Sequence, residues 1–292
     1  DIFGMSTREP NPALGLRSIR LCLSRAGRPF FKSQLRGLLR ASAVGPLRIM
    51  LPMITDLEEL RSAKEMVAEA KDELRGRGEP FDEDVKVGVM IEMPAAAMIA
   101  DLIAKEVDFF SVGTNDLIQY SLAVDRVNEQ VSYLYQPLHP AILRLLRSIT
   151  DAAQAQDIPV SLCGEMAGEP LLTLILLGLG LEEFSMNASS IPIVKSILRE
   201  SSLAEAKDLV RDVFLLRTSS EIEALIKERM AGNWFHTLKN IDKQTLPNLF
   251  DKFKTSLNEF SGFAAKNSVS IVFCFCVLEK KWACMKHFYY ET

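Results

Sequence analysis

The stretch VGVMIEMPAAA, residues 87–97, decides the fold class of this chain. It joins a continuous apolar run to a carboxylate at Glu92 and then to an alanine-rich segment with Pro94 near its start. Uninterrupted apolar runs are typical of parallel strands, because helices cover both faces of such a sheet. Proline is tolerated at the first position of a helix, where its missing N–H has no partner to lose. The stretch therefore predicts a strand over 85–92, a helix over 94–104, and Glu92 at the carboxyl end of the strand.

Similar apolar runs recur along the chain, and each contains or ends at a residue able to do chemistry. They are LRIMLPM at 47–53 with Arg48 inside it, FFSVGTND at 109–116, VSLC at 160–163, EFSMN at 183–187, and the shorter RSIRL at 17–21 with Arg20. We predict strands at 47–54, 107–113, 158–163 and 182–187, and a further strand at RSIRL. Strands that alternate with helices indicate parallel β/α units. Six strands with chemistry at their ends favour a (β/α)8 TIM-type barrel over an open sheet.

Composition narrows the class of protein. The net charge is −4 at pH 7, so bulk electrostatics give no reason to expect nucleic acid as a partner. No apolar run reaches the roughly 18 residues needed to cross a membrane. The chain has five cysteines, and this odd number favours a reducing compartment over a disulfide framework. We therefore expect a cytoplasmic protein that acts on neither nucleic acid nor membranes.

The regular pattern covers residues 1–230 and is lost over 231–292. The second segment holds both tryptophans and three of the five cysteines. Cys274, Cys276 and Cys284 with His287 raise a metal hypothesis, but the cysteines do not form a CxxC pair. We interpret 231–292 as an appended, divergent extension with no part in the chemistry, and its composition does not require a stable fold.

Glu92 and Asp116 are the candidate metal ligands. Both follow predicted strands, and the carboxyl ends of neighbouring parallel strands lie close together. One or two carboxylates, with substrate oxygens and waters completing an octahedron, are the arrangement that Mg²⁺ prefers. The alternative is that each carboxylate caps the helix that follows it. Spacing alone leaves both interpretations open.

Three arginines are candidate clamps for an anionic substrate: Arg20, Arg48 and Arg126. An arginine within an apolar run needs an anion to meet it, because its guanidinium does not lose its proton. The planar guanidinium also matches pairs of phosphate oxygens. The alternative for Arg48 is a core ion pair with a carboxylate, and the alternative for Arg126 is solvent exposure beside Asp125.

Two cysteines receive different interpretations. Cys163 ends a predicted strand and precedes a glycine, a position where a thiol can donate or accept a proton. The alternative for Cys163 is a small buried apolar side chain, which is the usual role of a free cysteine. Cys22 is assigned to that second role.

Seven stretches together resemble one family. In family order and spacing they are NPALGLRSIR, LRASAVGPLRIMLPMI, VGVMIEMPAAA, KEVDFFSVGTNDLIQYSLAVDR, YLYQP, CGEMAG and LGLEEFSM. They resemble the C-terminal phosphoenolpyruvate-binding domain of Enzyme I of the phosphoenolpyruvate-dependent sugar phosphotransferase system. The resemblance runs from about residue 9 to 230, and the set of motifs is far more specific than any one of them.

The resemblance implies a (β/α)8 barrel, usually a homodimer, that binds phosphoenolpyruvate with Mg²⁺. Phosphate passes to a histidine on a swivelling domain, then to the phosphocarrier protein HPr, and pyruvate is released. The implied roles are Mg²⁺ ligation by Glu92 and Asp116, substrate binding by Arg20, Arg48, Asn115 and Arg126, and protonation of the enolate by Cys163.

The family pattern begins upstream of this sequence. Its barrel has two further strands before RSIRL, the second with another substrate arginine, and its histidine domain precedes them. We therefore expect a chain truncated at its N-terminus, which by itself does not turn over substrate. Two other interpretations stay open: the C-terminal barrel of pyruvate phosphate dikinase or phosphoenolpyruvate synthase, and a non-catalytic truncated remnant.

Overall fold

A computed structural model describes residues 10–231 and the backbone of two short strands at 271–274 and 287–288. These residues fall into two compact units. The first contains 10–112, 152–159 and the two short strands, and the second contains 113–151 and 160–231.

Five strands lie in the part of the chain where strands are predicted. They are β1 (Leu47–Leu51), β2 (Lys86–Ile91), β3 (Phe110–Gly113), β4 (Val160–Cys163) and β5 (Glu183–Ser185). In the first unit β1 pairs with β2 and β2 with β3, and in the second β4 pairs with β5, all in parallel. Each strand is shorter than predicted by one or more residues at an end. The α/β class with parallel strands is confirmed, and closure into a barrel stays a prediction.

Burial explains why the strands read as continuous apolar runs. All four residues of β3 are buried, and so are all residues of β2 after Lys86. Phe110 and Ile91 are fully inaccessible to solvent. Because both faces of each strand are covered, neither face requires polar side chains, and no alternation of polar and apolar residues develops.

Two further strands lie in the segment that we interpret as an extension. Strand β6 (Ile271–Cys274) pairs in parallel with β1, and β7 (His287–Phe288) pairs antiparallel with β6. The metal hypothesis for this segment depends on side chains that lie outside the described part of the chain.

Helices occupy most of the chain between the strands. They are α1 (Ser18–Leu23), α2 (Arg28–Ser42), α3 (Leu57–Arg77), α4 (Pro94–Met98), α5 (Ala100–Ile103), α6 (Thr114–Leu122), α7 (Pro140–Ala155), α8 (Thr173–Gly178), α9 (Ile191–Glu200), α10 (Leu203–Val213) and α11 (Ser219–Ala231). Helix α3 is capped by Asp56, whose carboxylate accepts a hydrogen bond from the Glu59 N–H at 2.8 Å. The single helix predicted over 94–104 is instead two, because Ile99 leaves helical geometry.

The prediction of a strand at RSIRL is wrong. Residues 18–23 form helix α1, with Ile19 and Cys22 buried on one face. The Leu21 N–H bonds to the Arg17 carbonyl, and the Ser24 N–H bonds to the Arg20 carbonyl. A five-residue run is too short to distinguish a strand from a helix by its periodicity.

Candidate functional site

Glu92 is a buried carboxylate at the carboxyl end of β2 in the first unit. Its side chain is 6% exposed, and Oε1 accepts a hydrogen bond from the Met53 N–H at 2.7 Å. A charged acceptor makes this bond stronger than one between neutral groups. Helix α4 has Met93 at its N-cap, with no side-chain cap. Glu92 is therefore not the N-cap residue of α4, and its carboxylate is held by the loop after β1.

Met53 adopts an unusual backbone conformation to reach Glu92. Its φ angle is 51°, in the left-handed region that side chains other than glycine rarely occupy. The side chain is almost fully buried, at 1% exposure. Strained backbone of this kind persists where surrounding packing holds it, and it is frequent at functional sites. The turn after β1 thus presents its N–H to the carboxylate that ends β2.

Arg48 lies at the other end of the same sheet. It is the second residue of β1 and is paired in register with Lys86, the first residue of β2. Glu92 follows Lys86 by six positions, which corresponds to about 20 Å along the strand. The Arg48 guanidinium instead lies 5.8 Å from the centroid of the Phe109 ring. Arg48 therefore lies near the start of its strand and not at the strand end with Glu92. A contact between Arg48 and substrate stays a prediction.

Arg20 lies on helix α1 rather than at the end of a strand. Its Nη1 donates to the Leu14 carbonyl at 2.9 Å, within the loop that precedes the helix. This bond ties the guanidinium to the start of the described chain. A contact between Arg20 and substrate stays a prediction.

Cys22, on the same helix, is buried as expected. Burial raises the pKa of the Cys22 thiol to about 11. A thiol in this environment stays protonated and unreactive, which agrees with its assignment to the apolar interior.

In the second unit, helix α6 carries Asn115 and Asp116 in its first turn. Gly113 is the N-cap residue, and Asp116 is the third residue of the helix. Asp116 is therefore not the N-cap residue of a helix that begins after it. An acidic residue in a first turn still interacts favourably with the partial positive charge of the helix N-terminus.

The loop after β4 is hydrogen-bonded to this first turn of α6. The Thr114 hydroxyl donates to the Cys163 carbonyl at 3.1 Å, and the Glu165 N–H donates to Asn115 Oδ1 at 3.0 Å. The amide oxygen of Asn115 is thus engaged by the protein, and its Nδ2 is the end that can donate to an anion. The half-buried Cys163 is held beside Thr114 and Asn115.

Gly164 makes this close approach possible. Its φ and ψ angles are 117° and −176°, a conformation available essentially to glycine alone. A Cβ at this position would lie 2.4 Å from Thr114 Oγ1 and 2.9 Å from Asn115 Oδ1. Glycine is required here both by the backbone conformation and by the space available.

Arg126 and Glu165 form an ion pair across the same loops. Arg126 Nη1 lies 3.3 Å from Glu165 Oε1, and the side chains are 35% and 77% exposed. Arg126 is therefore partly exposed to solvent and pairs with Glu165, and a contact between Arg126 and substrate stays a prediction. The Arg126 N–H also donates to Gln119 Oε1 at 3.2 Å. A pair with one well-exposed partner contributes little stability, so a stronger anion can replace Glu165.

Tyr135 lies in the field of these charges. Burial raises the pKa of Tyr135 to about 12, while Arg126 lowers it and the carboxylates of Glu165 and Asp116 raise it. Its hydroxyl oxygen is buried and has no hydrogen-bond partner in the described part of the chain. Tyr135 was not among the predicted site residues, although YLYQP is one of the stretches that carry the family resemblance.

Glu165 and Met53 were also missed by sequence reasoning. Glu165 lies within CGEMAG, a stretch in which Cys163 alone was predicted as a site residue. Met53 contributes its backbone N–H, a group that every residue except proline carries. Neither contact leaves a periodic signal, because each joins residues from different β/α units. The glycine after Cys163 was the one available sign that another segment approaches closely.

The fold and these polar loops define an α/β protein of parallel strands whose reactive groups lie where strands meet helices. The family model for the PEP-binding domain of PEP-utilising enzymes matches residues 3–203. The chain belongs to this family.

Curated relatives agree with the family assignment. A phosphoenolpyruvate-protein phosphotransferase of Haemophilus influenzae is 48% identical over 226 residues, which is 77% of this chain and 39% of that protein. The protein of the same name from Bacillus subtilis is 49% identical over 221 residues, 76% of this chain and 38% of that protein. The chain spans about two fifths of the length of these relatives.

A solved citrate lyase from Burkholderia xenovorans is a more distant likeness. Its identity is 15%, its TM-score is 0.44, and the match covers 69% of this chain and 68% of that one.

Among the helices that the structure describes, none is long and apolar enough to cross a membrane. Within residues 10–231, no three His, Cys, Asp or Glu side chains converge as a ready-made metal cluster.

Proposed function

We propose that this chain is the phosphoenolpyruvate-binding part of a phosphoenolpyruvate–protein phosphotransferase. The family and the names of its relatives support the substrate class. The observation that carries the proposal is the junction in the second unit, where Asn115, Gly164 and Glu165 bring a guanidinium, an amide and a thiol-bearing loop together. An anion that carries both a carboxylate and a phosphate suits this set of hydrogen-bond donors.

Arg126 is the residue we assign to the anion. Its guanidinium is partly exposed and pairs with the carboxylate of the well-exposed Glu165. When substrate enters, a phosphate or carboxylate offering two oxygens replaces the single long contact to Glu165. Asn115 donates from Nδ2 to the same anion, since Oδ1 is held by the Glu165 N–H. Arg20 remains a further substrate-binding candidate.

We assign Cys163 the role of proton donor. Transfer of the phosphoryl group breaks the O–P bond of phosphoenolpyruvate, forms an N–P bond to the acceptor histidine and leaves the enolate of pyruvate. The thiol then gives its proton to the methylene carbon, and the C–H bond formed converts the enolate to pyruvate. The resulting thiolate recovers a proton from solvent, which can reach the half-buried side chain.

Glu92 and Asp116 are the proposed ligands of Mg²⁺. Each is a carboxylate close to the end of a parallel strand, and hard oxygen donors are what this ion selects. When bound, the ion would neutralise negative charge on the substrate. Glu92 is already held in place by the Met53 N–H.

The partners and location follow from the same proposal. The phosphoryl acceptor is a histidine on another protein domain, followed by HPr, and the active form is a homodimer in the cytoplasm of a cell that imports sugars in this way. The relatives' names favour this function over a dikinase or synthase barrel.

Calorimetric titration of phosphoenolpyruvate with Mg²⁺ tests the proposal. We expect wild-type protein to bind, Arg126→Ala to lose at least 10-fold in affinity through a lost charged hydrogen bond, and Glu92→Gln to lose its dependence on Mg²⁺. Arg211→Ala is the matched control, since Arg211 is an exposed arginine that pairs with Asp208 within α10, and we expect it to bind like wild type. Equal, metal-independent binding by wild type, Arg126→Ala and Glu92→Gln would refute the proposal.

A further inference from the structure

Four buried side-chain atoms in the described part of the chain have no hydrogen-bond partner. They belong to Ser121, Tyr135, Arg147 and Ser185. The Tyr135 hydroxyl is distinct among them, because the charged groups that act on it are Arg126, Glu165 and Asp116. The proposed function assigns substrate binding to Arg126 and Mg²⁺ binding to Asp116. Glu165 is the carboxylate that the substrate displaces from Arg126.

An unpartnered buried hydroxyl needs an explanation. Removing such a group from water without a new hydrogen bond is unfavourable, and nearly all buried polar groups in native proteins have a partner. The phenol offers one O–H donor. Since the pKa of Tyr135 is raised by burial, the phenol keeps its proton at neutral pH and acts as a donor rather than as an anion. The hydroxyl can accept as well as donate, and an anion oxygen is a partner to which it can donate.

The segment that carries Tyr135 is held in a fixed position. Ser132 and Tyr135 donate backbone hydrogen bonds within the turn that follows Asn128, at 2.9 and 3.0 Å. The next residue, Gln136, accepts a hydrogen bond from the Ser219 hydroxyl of α11 at 2.7 Å. A phenol on such a support keeps its orientation before a ligand arrives, which lowers the entropy lost on binding.

We propose that the Tyr135 hydroxyl donates a hydrogen bond to an oxygen of the anion held by Arg126, so that Tyr135 is a further substrate-binding residue. This inference rests on the proposed function and adds a neutral donor to its charged ones. The guanidinium attracts the anion from solution, whereas the phenol contributes only when an acceptor oxygen occupies its immediate surroundings. Tyr135 therefore selects for the position of the anion as well as its charge.

A structural role for the same hydroxyl predicts different results. If the hydroxyl only holds a buried water within the fold, its removal weakens the folded protein and leaves substrate affinity unchanged. If it waits for substrate oxygen, its removal weakens binding and leaves the free protein as stable as before, or more stable. The sign of the stability change and the affinity change thus separate the two roles.

The test compares Tyr135→Phe with Tyr133→Phe in the full chain. Tyr133 lies two positions away and is 72% exposed, so its variant controls for loss of a phenol in the same turn. Titrations use phosphoenolpyruvate with Mg²⁺, and thermal unfolding is measured with and without this ligand. We expect Tyr135→Phe to raise Kd by about 10- to 100-fold, with an unchanged or higher Tm without ligand and a smaller ligand-induced rise in Tm.

Each outcome has a defined meaning. Unchanged affinity in Tyr135→Phe, with wild type binding normally, overturns the inference and leaves the proposed function intact. A lower Tm without ligand together with unchanged affinity assigns the hydroxyl to structure alone, and also overturns it. Equal losses of affinity in Tyr135→Phe and Tyr133→Phe overturn it as well, because the effect is then not specific. Absence of binding by wild type refutes the proposed function and the inference together.

Discussion

Replacing Gly164 by alanine should disrupt the junction that carries the proposed site. The added Cβ would lie 2.4 Å from Thr114 Oγ1 and 2.9 Å from Asn115 Oδ1, well inside van der Waals contact. The residue would also have to hold φ 117° and ψ −176°, a region closed to alanine. The loop must therefore move, and the hydrogen bonds of Cys163 and Glu165 to α6 are lost with it.

The magnitude follows from these parts. Backbone strain in such a region costs about 1–3 kcal/mol, and each of the two lost hydrogen bonds contributes about 1 kcal/mol. We expect the free energy of unfolding to fall by about 3–5 kcal/mol, a large fraction of the 5–15 kcal/mol typical of folded proteins. If the loop rearranges while the rest of the protein stays folded, the substitution weakens the binding of phosphoenolpyruvate instead of lowering the free energy of unfolding.

Gly180→Ala is the matched control for this substitution. Gly180 also has a positive φ, 92°, but a Cβ there would meet only Thr150 Cβ at 4.0 Å. It carries the backbone strain without the collision, so its cost should be about 1–3 kcal/mol, with unchanged affinity for phosphoenolpyruvate. Urea unfolding and calorimetric titration of both variants measure the two effects. If Gly164→Ala is no less stable than Gly180→Ala and binds phosphoenolpyruvate like wild type, the steric argument is refuted.

Three further predictions concern separate parts of the chain. Gly37→Ala, at an exposed helical position of α2 where a Cβ meets nothing within 4 Å, should raise the free energy of unfolding by about 1 kcal/mol in urea unfolding, and a decrease would contradict the helix assignment. Ser202→Ala removes the side-chain half of the capping box of α10 and should lower stability by about 1 kcal/mol in urea unfolding at neutral pH. The Ser202 N–H and hydroxyl lower the pKa of Glu205; the hydroxyl's share of this stabilisation is present above the ordinary glutamate pKa and is lost as pH falls through the lowered one, whereas the bond from the Glu205 N–H to Ser202 Oγ persists. The wild-type advantage should therefore shrink but not vanish in acid, and an advantage that is equal at neutral and acid pH would count against this account. Cys163→Ala should still bind phosphoenolpyruvate but, with a phosphorylatable histidine domain supplied, should slow pyruvate formation by about 10²–10⁴-fold, and full activity would exclude the thiol as proton donor.

The strand pattern was predictable because it has a direct physical cause. Residues of β2 and β3 are buried on both faces, so only apolar side chains are tolerated, and the run ends where the chain reaches the loop at Glu92. The same reasoning failed at RSIRL and at Arg48 for two reasons. At RSIRL, five residues are too few to define a helical or strand period. At Arg48, an apolar run does not show near which end of the strand an internal arginine lies. The pairing of Arg48 with Lys86, the first residue of β2, places it near the start.

The sequence by itself determined the α/β class, the order of the β/α units, the family resemblance and the candidate residues Glu92, Asn115, Asp116, Arg126 and Cys163. These features are local, since each depends on the burial or chemistry of one short segment. Only the tertiary structure decided that Met53 donates to Glu92, that Glu165 neutralises Arg126, that Gly164 admits Thr114, and that the Tyr135 hydroxyl is buried without a partner. These contacts join residues distant in the chain, and their distances depend on how whole elements pack, which no short segment encodes.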